Sequence, residues 1–474
     1  MKISFKFIVS IIILLFLATA NFAQSAKPTP KPKVGVKPTP TPAVSSANQT
    51  KAEEYFKQGQ VFWKTFEIRE TIESYTKAIE LNPNYVAALS ERGIINFMIK
   101  DSNNGIDDFD KVLNLEPNNL KILYFRGLAL TDIAVKTKDD ENDRKSANGF
   151  AQRALADFSK AIEIDPNDYD YYNARGKLFL AFGFYKEAIV DFEKSISIKP
   201  NEVGYSQIGL AKFYLDDKNA IDEVNKAIKI EPNFAEAYYI RGTINRDEGR
   251  YKEAISDLDQ AIKLSKYNAK YYNTRGMLYF QMQDGNAAVA DFTKAINEKN
   301  DYAMAYYNRA FTYKKFPYSV SNDENPIAKI RLQRDKMLED FSSAIKYKPN
   351  FDAAYVERGL INSTDMRNKS TPDAETINRL NLALADFEQA IKINPKNAEA
   401  YNGRASVYDD LGKKDLALAD YTKAIELDSN LATAYMGRMA IYCEMGKKEL
   451  SILDEKKVKS LGFSTINICS LGGK

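Results

Sequence analysis

The sequence predicts an all-α solenoid of about eleven helix–turn–helix units, and three observations predict it. Prolines return at a fixed step: Pro83 and Pro117 stand 34 residues apart, as do Pro166 and Pro200. Small and large residues recur at set positions within that step. Apolar residues fall at spacings of three and four, the mark of an amphipathic helix. A self-similar period of this length signals stacked supersecondary units rather than one globular core.

Residues 1–23 read as a secretory signal peptide. Lys2 and Lys6 give a positive start, residues 8–17 an apolar run, and Ala18-Thr19-Ala20 or the bond after Ala23 a small-residue cleavage site. A membrane-spanning helix is the rival reading, but the run is short of the ~20 apolar residues that crossing takes. Once the leader is cleaved, no transmembrane segment is expected. The expected location is periplasmic or secreted, in a bacterium, because an extracellular eukaryotic chain of this size usually carries more than two cysteines.

Residues 24–50 are a Pro/Thr/Lys-rich linker. Pro28, Pro30, Pro32, Pro38, Pro40 and Pro42 make extended chain at ~3 Å per residue. This stretch reads as a solvated spacer, or as a basic strap touching an anionic cell envelope through Lys27, Lys31, Lys33 and Lys37.

Six of the 67 basic residues and none of the 64 acidic ones lie in residues 1–50. The net charge of +3 therefore misstates the remainder, which is close to neutral and slightly acidic. Nucleic acid, which calls for a concentrated basic face, is excluded as a partner. There is no histidine, and the only cysteines are Cys443 and Cys469, so neither a metal nor a cofactor is expected. A phosphate-cradling glycine loop, a nucleophile elbow and an acidic calcium loop are all absent, and the chain reads as no enzyme.

The repeats fill residues 51–461, with units starting near Ala52, Val86, Leu120, Tyr169, Glu202, Ala235, Ala269, Ala303, Asp352, Ala398 and Ala432. The eighth position is small (Gly93, Gly127, Gly176, Gly276), the twenty-fourth large and apolar (Phe109, Phe158, Phe192, Phe292). The twentieth and twenty-seventh are mostly alanine, as in Ala254 and Ala261. Small residues let paired helices approach, and large ones fill the space left between them. Proline follows each second helix, where it cannot extend that helix but helps start the next. One pair cannot bury its own apolar face, so stacked neighbours must make the core.

This pattern resembles the tetratricopeptide repeat. Tyr172, Gly176, Phe179, Ala188, Phe192 and Pro200 in one unit reproduce it almost whole, with Ser195 departing at position twenty-seven. The resemblance covers roughly residues 51–460. It implies a right-handed superhelix whose inner surface is lined by the first helix of each pair, and a partner that is a protein or peptide.

Position seven, often leucine in that family, is arginine in nine units, and position twenty-three is aspartate in the same nine. The expected pairs are Arg92–Asp108, Arg126–Asp157, Arg175–Asp191, Arg241–Asp257, Arg275–Asp291, Arg309–Asp340, Arg358–Asp386, Arg404–Asp420 and Arg438–Asp454. Co-occurrence within one chain suggests bidentate contacts between the two helices of a unit. The other reading is a basic groove that reads carboxylates.

By the resemblance, positions two, five, six and nine of each first helix face the concave side. Position five alternates tyrosine and asparagine: Tyr124, Asn173, Tyr239, Asn273, Tyr307 and Asn402, with Asn308 beside it. Asparagine serves both donors and acceptors of an extended backbone, and tyrosine adds flat area. The plain alternative is that these residues are solvated or pack between units. The family's chaperone clamp is not expected, since Lys121 and Lys177 lack its other members.

Three polar insertions, near 135–149, 317–331 and 365–378, are expected as loops between first and second helices. The tail, 462–474, carries Cys469. A Cys443–Cys469 disulfide would clip it over the end of the stack, and two buried thiols are the alternative. The leading functional reading is a secreted or periplasmic scaffold or adaptor that binds a protein or peptide along its concave surface. A self-associating structural component of an envelope assembly is the second reading, and an envelope enzyme the third.

Overall fold

Each repeat builds two antiparallel helices, and the computed structural model describes residues 44–138, 144–317, 326–363 and 373–464. These hold 22 helices and no strand among the described residues, which is eleven pairs. The chain divides into two units, Met1–Ile244 and Asn245–Lys474. In the first, α1 (Ser46–Lys64) pairs with α2 (Ile68–Leu81), α3 (Val86–Met98) with α4 (Ser102–Leu115), and α5 (Leu120–Thr137) with α6 (Arg144–Ile164). Then α7 (Tyr169–Ala181) pairs with α8 (Tyr185–Ile198), α9 (Glu202–Tyr214) with α10 (Ala220–Ile230), and α11 (Ala235–Asp247) runs across the division. The second unit continues with α12 (Tyr251–Leu264), then α13 (Ala269–Gln281) and α14 (Gly285–Glu298), α15 (Ala303–Lys315) and α16 (Pro326–Tyr347). It ends with α17 (Asp352–Ser363) and α18 (Ala374–Ile393), α19 (Ala398–Asp410) and α20 (Lys414–Leu427), α21 (Ala432–Glu444) and α22 (Lys448–Ser460).

Five first helices start where an Asx side chain caps them. Asn119, Asp168, Asn201, Asn268 and Asn397 each accept a backbone N–H two or three residues on. That satisfies a donor that the first turn leaves without an intrahelical partner. Most of these caps follow a proline by one to three residues, so proline ends one helix and the cap begins the next.

Position twenty-four plugs the core. Phe109, Phe158, Phe192, Phe292, Phe341 and Phe387 are fully buried. Position eight lies directly under the ring: a Cβ on Gly93, Gly176 or Gly276 would sit 2.7 Å from the Cε1 of Phe109, Phe192 or Phe292. Glycine there is a packing requirement of that ring.

Position fifteen turns first helix into second, and it sits in left-handed backbone wherever no insertion intervenes. Gly183, Gly249, Gly412 and Gly446 have positive φ there, and so do Phe66, Lys100, Asp216 and Gln283. In the three units with insertions, the described part of the extra residues adds to helices: α5 reaches Thr137, and α6, α16 and α18 run 21, 22 and 20 residues, while 139–143, 318–325 and 364–372 lie outside the described residues. Asp373 caps α18 through the N–H of Thr376, which starts that helix inside the expected 365–378 loop. The linker expectation also shifts at its end. Ser45 accepts from the N–H of Asn48, and α1 begins at Ser46, inside the stretch read as linker.

Eight of the nine arginine–aspartate pairs lie within one unit, and in all eight the guanidinium grips the carboxylate with two bonds. Arg92 Nε and Nη2 donate to Asp108 at 2.8 and 2.7 Å, and Arg275 to Asp291 at 2.7 Å twice. Arg126–Asp157, Arg175–Asp191, Arg309–Asp340, Arg358–Asp386, Arg404–Asp420 and Arg438–Asp454 repeat the geometry. Arg241 and Asp257 fall in different units. The aspartates are 2–7 % exposed. Burial pushes the carboxyls of Asp157, Asp340 and Asp386 up, and the bonds from their arginines pull the other way.

The arginine does more than its spacing announced. Its Nη1 donates to a residue sixteen positions earlier, on the second helix of the preceding pair: Thr76, Asp110, Ser159, Asn225, Asp259, Thr293, Ser342 or Thr422. In seven of the nine units the face of the guanidinium rests over a tyrosine three residues before it, as in Arg175 on Tyr172 and Arg309 on Tyr306. One side chain therefore ties three helices.

Two predictions follow from this packing. Asp291→Ala leaves the Arg275 guanidinium with only the half-exposed Asp259 and should cost up to ~3–5 kcal/mol, read as a lower denaturation midpoint, while Arg275→Met with Asp291→Leu should recover most of it. A single variant that melts like the parent would show that the pair bears no load. Lys100→Gly relieves left-handed strain and should stabilise by about 1 kcal/mol, less some loss from the freer unfolded chain. Chemical denaturation checks this, and a destabilised variant would contradict it.

A charged groove on the first helices

Neighbouring first helices lie against one another, and position five falls in the seam between them. That placement corrects the picture of a row of free contact groups. Asn308 donates to Asn273 at 3.0 Å, so both are engaged with each other across adjacent units. Tyr307 stacks on Phe311, meets Phe341 edge-on and lies tilted against Phe351. Tyr239 packs against the core around Val224 and Ile240. Asn402 keeps its Oδ1 buried without a hydrogen bond. The physical reason is distance: paired helices held this close leave room at position five for packing rather than for a ligand.

Other inward positions are also committed. Lys121 at position two donates to Glu91 at 2.8 Å, and Lys314 to Glu357 at 2.6 Å. Around α7 the pattern changes. Asp170, Asn173 and Lys177 occupy positions two, five and nine, which places them on one stripe of that helix. Asn173 is 5 % exposed and donates to Asn201 at 3.2 Å, but its Oδ1 has no partner. Asn201 in turn caps α9 and donates to Ser195 and to the Lys199 carbonyl, so the Asn173 amide is held in place.

Carboxylates surround the stripe. Asp170 stands in the first turn of α7, Glu202 in that of α9 and Glu236 in that of α11. Among the described residues, Asp170, Glu202 and Lys177 carry no side-chain hydrogen bond or ion pair. The Lys177 side chain is open to solvent. Desolvation lowers its pKa below the usual lysine value, against the pull of Glu236, Asp170 and Glu202. Asp170 is raised to about 6, chiefly by burial and by Asp168, with Glu202 adding and Lys199 and Lys177 opposing. Tyr124, on the neighbouring α5, packs against Phe158 and Tyr171, and burial with Asp170 and Asp168 pushes its pKa up. Of the seven residues read from sequence, Tyr124 and Asn173 thus belong to this groove. Asp170, Lys177, Glu202 and Glu236 were not singled out; the signal for three of them was a charge at position two or nine.

The last unit places Cys443 on α21, and Cys469 lies outside the described residues. Residues 1–43, with the expected signal peptide and most of the linker, also lie outside them. Among the described residues no helix is long and apolar enough to cross a membrane.

Models of the tetratricopeptide repeat match residues 50–85, 169–202 and 269–302, and also 398–431; a TPR repeat model matches 242–283 and 377–412. The chain carries tetratricopeptide repeats over these stretches. No curated protein matches it. Among solved structures, a tetratricopeptide repeat protein from Parabacteroides merdae is 19 % identical with a TM-score of 0.47, covering 56 % of this chain and 99 % of that one. Yeast Tom70 is 16 % identical with a TM-score of 0.41, covering 87 % and 96 %. The APC/C hetero-tetramer Cut9-Hcn1 gives 14 %, 0.46, 82 % and 76 %. The fold is one typical of protein–protein interaction scaffolds.

A raised carboxyl pKa has a consequence for stability. Between the unfolded value of 3.8 and about 6 the folded chain keeps the Asp170 proton that the unfolded chain has released, so stability falls as pH rises through that window. Asp170→Asn should remove this loss: equal to the parent near pH 4, and more stable by about 1–2 kcal/mol at pH 7.5 after allowing for partial exposure. Denaturation curves at both pH values test it, and identical curves would place Asp170 in ordinary solvent.

Proposed function

We propose that this chain is a secreted or periplasmic adaptor that holds an extended segment of a protein partner against its first helices. The observation that carries the reading is the groove at α7. Elsewhere the inward polar groups described above are mostly bonded to each other, whereas here Asp170, Glu202 and the Asn173 Oδ1 are left for something else to meet. A carboxylate kept where its charge is disfavoured fits a binding site better than a structural contact. The envelope assignment rests on the signal-peptide pattern of residues 1–23, and the lysines of 24–50 suit a tether along an anionic surface. No catalytic constellation is invoked.

Self-association is the second reading, and it has its own observation: Leu450, Ile452 and Leu453 on α22, with Phe463 after it, are exposed at the end of the repeat array. Photo-crosslinking from Lys177 and from Leu453, each replaced by a photoreactive residue, separates the two. The adaptor reading expects a partner captured from position 177 and a monomer by sedimentation at all concentrations. Self-crosslinks from position 453 with concentration-dependent growth in size would replace it with the structural reading.

A further inference from the structure

Resting on the adaptor reading, we propose that the groove framed by α7, α9 and α11 takes a lysine or arginine side chain from an extended protein segment. The groups that converge there are acceptors. Asp170, Glu202 and Glu236 bring three carboxylates from three successive first helices, and the buried Asn173 Oδ1 adds a carbonyl oxygen that nothing satisfies. Lys177 is the one cation on the stripe. A buried acceptor without a donor is costly to leave unmet, so the site calls for N–H groups from outside.

The carboxylates are spread rather than gathered. Among the described residues no group of three or more acidic side chains is placed to hold a metal ion. Charge distributed over neighbouring helices suits a cation that is long, directional and carried on a chain. A guanidinium or ammonium with several N–H donors meets two carboxylates and the Asn173 carbonyl together. An acidic ligand would meet Asp170 and Glu202 as repelling groups. The Lys177 ammonium sits on a flexible stem and is open to solvent, so it can swing aside as another cation enters. Lys199 lies over the ring of Tyr169 at 4.8 Å and acts on Asp170 from the side.

The test uses the full chain with a display library of random twelve-residue peptides, panned at about pH 7.5, followed by anisotropy titration of the best synthetic peptide. The expected result is enrichment of lysine and arginine. Asp170→Asn with Glu202→Gln, isosteric changes checked for unaltered helicity, should weaken binding about tenfold or more, and Lys177→Gln should tighten it a few-fold. Affinity should fall with added salt. Enrichment of acidic peptides whose binding vanishes on Lys177→Gln would overturn the cation assignment and leave the adaptor reading standing. Basic peptides that bind the double variant as well as the parent would also overturn it, by placing their site elsewhere. A library with nothing enriched would sink both readings.

Discussion

The arginine at position seven is the interaction on which the rest of the architecture depends. A helix pair with one apolar stripe cannot set its own orientation, because hydrophobic contact is non-directional. The guanidinium supplies direction. Two of its nitrogens grip a nearly buried aspartate on the partner helix, and a third reaches the preceding pair. Such a bond set is satisfied only at one spacing and one rotation, so each arginine sets both the hairpin and its step from the last. The aromatic ring at position twenty-four then fills what that geometry leaves, and the glycine beneath it is dictated by the ring.

Close stacking also decides what is left for a partner. The tighter the first helices approach, the more of their inward residues become each other's partners. Asn273 with Asn308, and Tyr307 among its phenylalanines, show where this ends: a seam rather than a surface. The groove at α7 differs because its neighbours carry charges of the wrong sign to pair. Asp170 and Glu202 carry like charges and make no side-chain hydrogen bond or ion pair with Lys177.

The turn chemistry shows how strongly the tertiary frame acts on the chain. Four units put glycine at position fifteen, where left-handed backbone is easy, and four put phenylalanine, lysine, aspartate or glutamine there in the same conformation. Packing of the two helices on each other holds those residues where their own preference would not. In the three units with insertions, the described part of the extra residues adds to α6, α16 and α18.

The sequence alone determined the period, the number of helix pairs, the core positions and the arginine–aspartate partnership. All of these follow from residue type at fixed spacing, which a repeat states many times over. Only the tertiary structure decided the third arm of each arginine, the left-handed residues among non-glycines, and which inward polar groups meet each other. Those depend on distances between units, and a spacing along the chain records who shares a face but not who is near enough to bond. The carboxylates around Lys177 come from three separate first helices, so their meeting is a property of stacking. In sequence they are single charges, each unremarkable in its own repeat.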